Sequence, residues 1–274
     1  MPKRRLDTLL AERGLFPSRT RAAASVMAGE VHLGSGERRA LKPSELVEED
    51  ELIRLQERPA FVSRGGIKLA NALASSGLQV EGRLALDVGA STGGFTDCLL
   101  QRGVSEVFAV DVGYGTLDYR LRTDPRVVVL ERTNARTLTP EVLHGAGLPS
   151  GRLPDLATID VSFISLAKVL AAVLGCLAGG GYDVLALVKP QFELGRGRVG
   201  KGGVVRDPSD RREALLSVGA RAVALGAGVR GYHSSELPGP KGNRESFIWL
   251  SNPARGLGSQ YPAEIEAMAR VVEP

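Results

Sequence analysis

Cysteine is scarce: Cys98 and Cys176 are the only two in 274 residues. They cannot build a disulfide scaffold, stand in no C-x-x-C pair, and fit a reducing cytosol. The three histidines, His32, His144 and His233, are too scattered to supply metal-ligand spacing, so no metal site is expected. Long apolar runs are missing as well. The most apolar stretch, 161–188, is broken by Lys168, by Gly179-Gly180-Gly181 and by Asp183. Its unbroken pieces fall short of the roughly 20 residues that a membrane-spanning helix needs. The opening MPKRRLDTLLAERG lacks the apolar core of a secretory signal, so a cytoplasmic location with no membrane partner is expected. Neither sign of charge dominates: 35 Lys and Arg face 31 Asp and Glu, a net +4.

Charge is nevertheless unevenly spread. The first 21 residues hold Lys3, Arg4, Arg5, Arg13, Arg19 and Arg21 against only Asp7 and Glu12. A second basic group, Arg196, Arg198, Lys201 and Arg206, falls in a glycine-rich stretch. Such clusters suit phosphate contacts on a nucleic acid. In the N-terminal stretch, Leu6, Leu9 and Leu10 have helical spacing and Gly14 stops that helix. Ser18 can cap a second helix that Gly29 ends, and VHL, GSG and ELIRL suggest a small hairpin-rich unit. Arg58-Pro59 marks a joint, because proline turns its predecessor away from helix. The expected organisation is a first domain over 1–58, a linker over 59–65 and a second domain over 66–274.

Beyond the joint the pattern changes to apolar strand candidates alternating with helix-length segments. RLALDVG, EVFAVDVG, RVVVLE, LATIDVSF, DVLALVKP and ESFIWL are the strands; GGFTDCLLQRG and SLAKVLAAVLGCLAGG are helices. That alternation predicts an α/β domain with a parallel, doubly wound sheet. The stretch from Leu84 to Thr96 runs a strand into a glycine turn that opens a helix. It departs from the dinucleotide fingerprint G-x-G-x-x-G: Asp87 precedes Gly89, and Ala90-Ser91-Thr92 intervene before Gly93-Gly94. A carboxylate at the mouth of the turn would repel pyrophosphate and suit a cationic or amine-bearing ligand. D-x-G-x-x-x-G-G is a pattern that S-adenosylmethionine enzymes use. Asp111, 24 residues after Asp87, ends the next strand, where a carboxylate can accept from a ribose diol. Asn134 follows the third strand at the place expected for an adenine-edge contact.

Four more polar residues stand where core or turn chemistry would not ask for them. They are Lys68 after Ser63-Arg64-Gly65-Gly66-Ile67, Asp160 after LATI, Lys189 before Pro190, and Glu245 before SFIWL, read as strand-end groups. Charges there are costly unless they pair.

Two resemblances follow from these segments. RRLDTLLAERGLFPSRTRAAASVMAGEVHL resembles the S-four RNA-binding module, which presents a basic helical face to structured RNA; the likeness covers about the first 55 residues. The remainder resembles FtsJ-type ribose 2′-O-methyltransferases with their Lys-Asp-Lys-Glu tetrad. Segment 61–68, the glycine turn, IDVSFIS, VKPQFELGRGRVGKGGVVRDP and GNRESF narrow the likeness to the TlyA (haemolysin-A-like) family of ribosomal RNA methyltransferases. The resemblance implies a Rossmann-like methyltransferase domain behind a small α+β S-four-like domain, acting on ribosomal RNA or ribosomal subunits with S-adenosylmethionine. It assigns Lys68, Asp160, Lys189 and Glu245 to the tetrad. Asp87, Gly89, Ser91, Gly93, Gly94, Phe95, Asp111 and Asn134 line the cofactor pocket, with Asp160 touching both. Lys3, Arg4, Arg5, Arg19 and Arg21 would meet RNA, joined by Arg196, Arg198 and Lys201 from a target-clamping loop over 195–203. The alternatives are a non-catalytic ribosome-assembly factor, a membrane-active haemolysin and a small-molecule methyltransferase.

Overall fold

A computed structural model describes residues 3–36, 38–56, 59–252 and 258–274, and its chain divides into two compact units, Met1–Pro59 and Ala60–Pro274. The first unit begins with strand β1 (Lys3–Arg5), helix α1 (Leu6–Glu12) and helix α2 (Arg19–Ala28). Strands β2 (Val31–Leu33), β3 (Arg38–Arg39), β4 (Leu46–Glu48) and β5 (Ile53–Leu55) follow. Helix α2 starts where Ser18 Oγ accepts from the Arg21 N–H at 3.2 Å, and it stops at Gly29, whose φ of 78° is left-handed. Both ends were legible. Leu6, Leu9 and Leu10 turn inward and pack with Ala22, Val26, Val31 and Val47 into the core of this unit. Strand β1 was not expected. It pairs antiparallel with β4, so Lys3, Arg4 and Arg5 lie on a strand and only Arg19 and Arg21 on a helix.

In the second unit, helix α3 (Arg64–Ser76) leads into β6 (Leu84–Val88), α4 (Gly94–Gln101), β7 (Glu106–Val110), α5 (Tyr119–Arg122) and β8 (Val127–Leu130). The chain then forms α6 (Pro140–Gly145), β9 (Leu156–Ile159), α7 (Leu170–Gly175), β10 (Asp183–Val188) and α8 (Pro190–Glu193). Helix α9 (Pro208–Ala224), strands β11 (Gly228–Ser234) and β12 (Ser246–Ser251), and helix α10 (Pro262–Val272) complete it. All six strand candidates are strands of one sheet, in the order β11-β12-β10-β9-β6-β7-β8.

Two features correct the expectation. The sheet is mixed: five strands run parallel, whereas β12 is antiparallel to both β10 and β11. The β11–β12 connection is too short for a helical crossover, so the pair must run antiparallel. Residues 60–65, expected as linker, belong to the second unit: Phe61 and Val62 pack against its core, and the Val62 N–H donates to Asp97 at 2.8 Å. Arg58 lies outside the described residues.

Alternation of side chains puts Leu84, Leu86 and Val88 into the core on one sheet face, with Ala157, Ile159, Val184 and Ala186. Ala85, Val107, Ala109, Leu185 and Leu187 face the other way, against α3 and α4. From central β6 the chain builds β7 and β8 to one side, then β9 and β10 to the other. Ligand crevices of open α/β sheets form outside the carboxyl ends of strands at such a reversal. Here Gly89 leaves β6 and Asp160 leaves β9 at that place. Among the described residues no helix is long and apolar enough to cross a membrane.

Candidate active site

The β6 exit is possible only with glycine. Gly89 has φ +84°, and a β-carbon on it would lie 2.5 Å from the Asp160 carbonyl oxygen. This close approach of two backbones brings Asp160 to the edge of the glycine turn. Ser91 also takes a left-handed φ, 50°. Its N–H donates to Asp111 Oδ2 at 2.8 Å, while the Gly113 N–H donates to Asp111 Oδ1 at 2.6 Å. Asp111 is therefore braced at the β7 end as a double acceptor.

Helix α3 reaches the same place by a glycine contact. A β-carbon on Gly66 would come within 2.8 Å of the Gly94 carbonyl, and one on Gly94 within 2.8 Å of the Gly66 nitrogen. With neither carbon present, α3 abuts the start of α4 and carries Lys68 inward. Lys68 thus sits on a helix rather than at the end of a strand. The double glycine disguised that helix, since Gly65-Gly66 reads as a turn.

The four tetrad residues meet in one cavity of about 400 Å³, together with Gly89, Ser91, Gly94 and Phe95 of the glycine turn. They form two ion pairs. Lys68 Nζ contacts the Glu245 carboxylate, with both side chains buried. Lys189 Nζ lies 2.6 Å from Asp160 Oδ1, out of line for a hydrogen bond, and donates to Ser162 Oγ at 2.8 Å. Desolvating charges is expensive, and mutual pairing offsets that cost. Ser162 escaped the reading of the sequence, although IDVSFIS holds it two places beyond Asp160.

A second cavity of about 550 Å³ is lined by Asp111, Asn134, Arg136, Val161 and Ile164. Gly89, Ser91, Asp160 and Ser162 border both spaces. Asn134 Oδ1 accepts from the Arg136 N–H at 3.0 Å, which fixes its side chain at the rim. Glu193 cross-braces the same region: its carboxylate accepts from Ser165 Oγ at 2.6 Å and from the Leu166 N–H at 2.9 Å. Burial pushes the Glu193 carboxyl up, against those two hydrogen bonds.

Two expected pocket residues stand elsewhere. Asp87 is fully buried and borders neither cavity. It alternates with inward Leu86 and Val88, so its carboxylate points beneath the turn and not into its mouth. Thr96 Oγ1 donates to it at 2.6 Å and Thr158 Oγ1 at 3.0 Å. Burial pushes this carboxyl up to about 6, while the threonine hydrogen bonds pull the other way. Gly93 also stays off the cavity walls; its φ of +98° and the Leu117 and Leu121 side chains packed against it make it a packing position.

Much of the expected RNA-facing charge is already paired. Arg4 meets Glu12 at 2.6 Å, and Arg5 and Arg19 meet Asp7 at 2.9 and 3.1 Å. The Arg5 hydrogen bond is the main reason that Asp7 falls to about 2. Lys3 and Arg21 have no carboxylate partner among the described residues. In the glycine-rich loop, Arg198 is held by Glu213 and, at 3.2 Å, by Asp210. Lys201 is exposed, and the Arg196 side chain lies outside the described ones.

A family model of FtsJ-like methyltransferases matches residues 61–252. The 16S/23S rRNA (cytidine-2′-O)-methyltransferase TlyA of Mycobacterium tuberculosis is 50% identical over 248 residues, 90% of this chain and 89% of that protein. Hemolysin A of Brachyspira hyodysenteriae is 37% identical over 88% of this chain and 97% of its own length. A solved structure from Streptococcus thermophilus, named a hemolysin, is 41% identical with a TM-score of 0.71, covering 99% of this chain and 96% of that one. The chain belongs to the FtsJ-like methyltransferase family.

Proposed function

We propose that this methyltransferase acts on ribose 2′-hydroxyls of ribosomal RNA, on cytidine, with S-adenosylmethionine as donor. One observation carries the reading: two Lys–carboxylate pairs line a cavity that joins the Asp111–Asn134 cavity across Gly89 and Asp160. The activity for which the mycobacterial relative is named supports the nucleotide and the RNA class. The cytoplasm, where ribosomal RNA is modified, is the proposed location.

The residues fit the cofactor. A space of about 550 Å³ suits a nucleoside-sized ligand. Asp111 would take the ribose diol, Asn134 the adenine edge, and the bare backbone at Gly89 would let the ligand approach closely. S-adenosylmethionine, when bound, supplies a methyl group already activated on a sulfonium. What remains for the protein is alignment and one poorly acidic proton. Lys189, positioned by Asp160 and Ser162, takes the 2′-hydroxyl proton at Nζ in its neutral form, after its own ammonium proton has passed to solvent. Lys68 and Glu245 orient the target ribose. The first unit serves as an S-four-like RNA-binding module, through Lys3 and Arg21 and the paired arginines beside them.

Replacing Lys189 with Met tests the assignment. Methyl transfer to RNA is expected to vanish while calorimetry finds cofactor affinity within about two-fold of the parent. Turnover retained by Lys189→Met would remove that residue from the proton-handling role.

A further inference from the structure

The ion pairs of Arg198 leave the glycine-rich loop with less free charge than its composition promises, yet a second loop replaces it. The segment Pro238-Gly239-Pro240-Lys241-Gly242-Asn243-Arg244 ends at Glu245, and Pro238 and Pro240 line the tetrad cavity. Asn243, only 2% exposed, fastens this segment to the glycine-rich loop. Its Oδ1 accepts from the Val205 N–H at 2.9 Å, and its Nδ2 donates to the Gly203 carbonyl at 2.7 Å. The Lys241 side chain passes 3.8 Å from where a β-carbon on Gly203 would stand, and the Arg206 guanidinium lies as close to the corresponding place on Gly200. Lys201, Arg206, Lys241 and Arg244 are all exposed, and none has a carboxylate partner among the described residues. The acids next in sequence are engaged elsewhere: Asp207 caps α9 through Ser209, and Glu245 pairs with Lys68.

Resting on the RNA-methyltransferase reading, we infer that these two loops, bolted together by Asn243, form a basic ledge that holds phosphates of the RNA strand flanking the target ribose. The four unpaired cations stand on two joined loops, one of which lines the tetrad cavity through Pro238 and Pro240, and they complement in charge a polyanion that must present one ribose there. Arg244 itself borders a neighbouring cavity. Lys241 and Arg244 are the new contacts. The ledge binds backbone rather than bases, so its effect is independent of sequence and sensitive to salt.

The test is binding of a ribosomal RNA fragment by the full chain over a range of salt concentrations, comparing the parent with Lys241→Ala/Arg244→Ala. Losing two phosphate contacts is expected to make the slope of log K against log salt shallower by about 1.4, at ~0.7 per single-strand contact. Cofactor affinity should hold, which reports an intact fold. A parent-like slope overturns the ledge, whether or not affinity falls. Because this readout needs no turnover, failure of the methyltransferase reading would show separately, as an unsubstituted chain that binds RNA and methylates none.

Discussion

Glu245 is the residue whose removal separates folding from chemistry most cleanly. Its side chain is 1% exposed and that of Lys68 10% exposed, so each charge depends on the other. Glu245→Ala leaves an ammonium in a site built for a pair. Breaking a buried pair on one side costs about 3–5 kcal/mol. For a unit of this size each kcal/mol moves the melting point by about 2–4 °C, which gives a fall of ~6–20 °C. The double replacement Lys68→Met/Glu245→Leu removes both charges and keeps apolar volume, a change that is commonly neutral or stabilising. Calorimetry should therefore find the double variant melting near the parent and well above Glu245→Ala, with methyl transfer lost in both. A double variant as unstable as the single one, or a single variant that melts with the parent, would refute the argument that desolvated charge governs this pair.

Asp87 yields a pH prediction. Its carboxyl titrates at about 6 in the fold and near 3.9 when unfolded, so the native state holds the proton more tightly. This group's contribution is therefore most favourable at low pH and is lost as pH rises through 6, by about 3 kcal/mol. Asp87→Asn, whose amide oxygen can still accept from Thr96 or Thr158, should flatten that slope in denaturant titrations between pH 4 and 7. An unchanged slope would contradict the buried placement. Asp111→Ala removes the carboxylate proposed to accept from the ribose diol; a charge-assisted hydrogen bond of about 1.5–3 kcal/mol translates to cofactor binding roughly 10- to 150-fold weaker by calorimetry. Deleting residues 1–59 should raise KM for ribosomal RNA while leaving cofactor affinity intact, and normal kinetics in the truncated enzyme would remove the docking role of the first unit.

The legible parts of this fold were those in which local pattern and packing agree. Continuous apolar runs such as DVLALV became buried parallel strands, and Ser18 and Gly29 marked the ends of α2. Strand β11 went unread because Arg230 and His233 interrupt GVRGYHS at an edge, beside a shift in register between Val229 and Gly231. Lys68 reads from the sequence as a strand-end group but stands on α3, because Gly65-Gly66 serves helix packing and not a turn. The sequence pattern puts Asp87 at the mouth of the turn, whereas in the fold Thr96 and Thr158 seal its carboxylate beneath it. Pairings across long separations were beyond the sequence: Arg198 with Glu213, Lys68 with Glu245, and the grip of Asn243 on Gly203 exist only once the loops are folded together.

The central claim is a ribose 2′-hydroxyl acceptor presented to the Lys189–Asp160 pair. Incubating the enzyme with labelled S-adenosylmethionine and separated ribosomal subunits, then mapping the modified nucleotides, tests it directly. Label on the 2′-oxygen of a cytidine, absent with Lys189→Met, is the expected result. Label on a base nitrogen or carbon, or none on RNA while the cofactor binds, would contradict it.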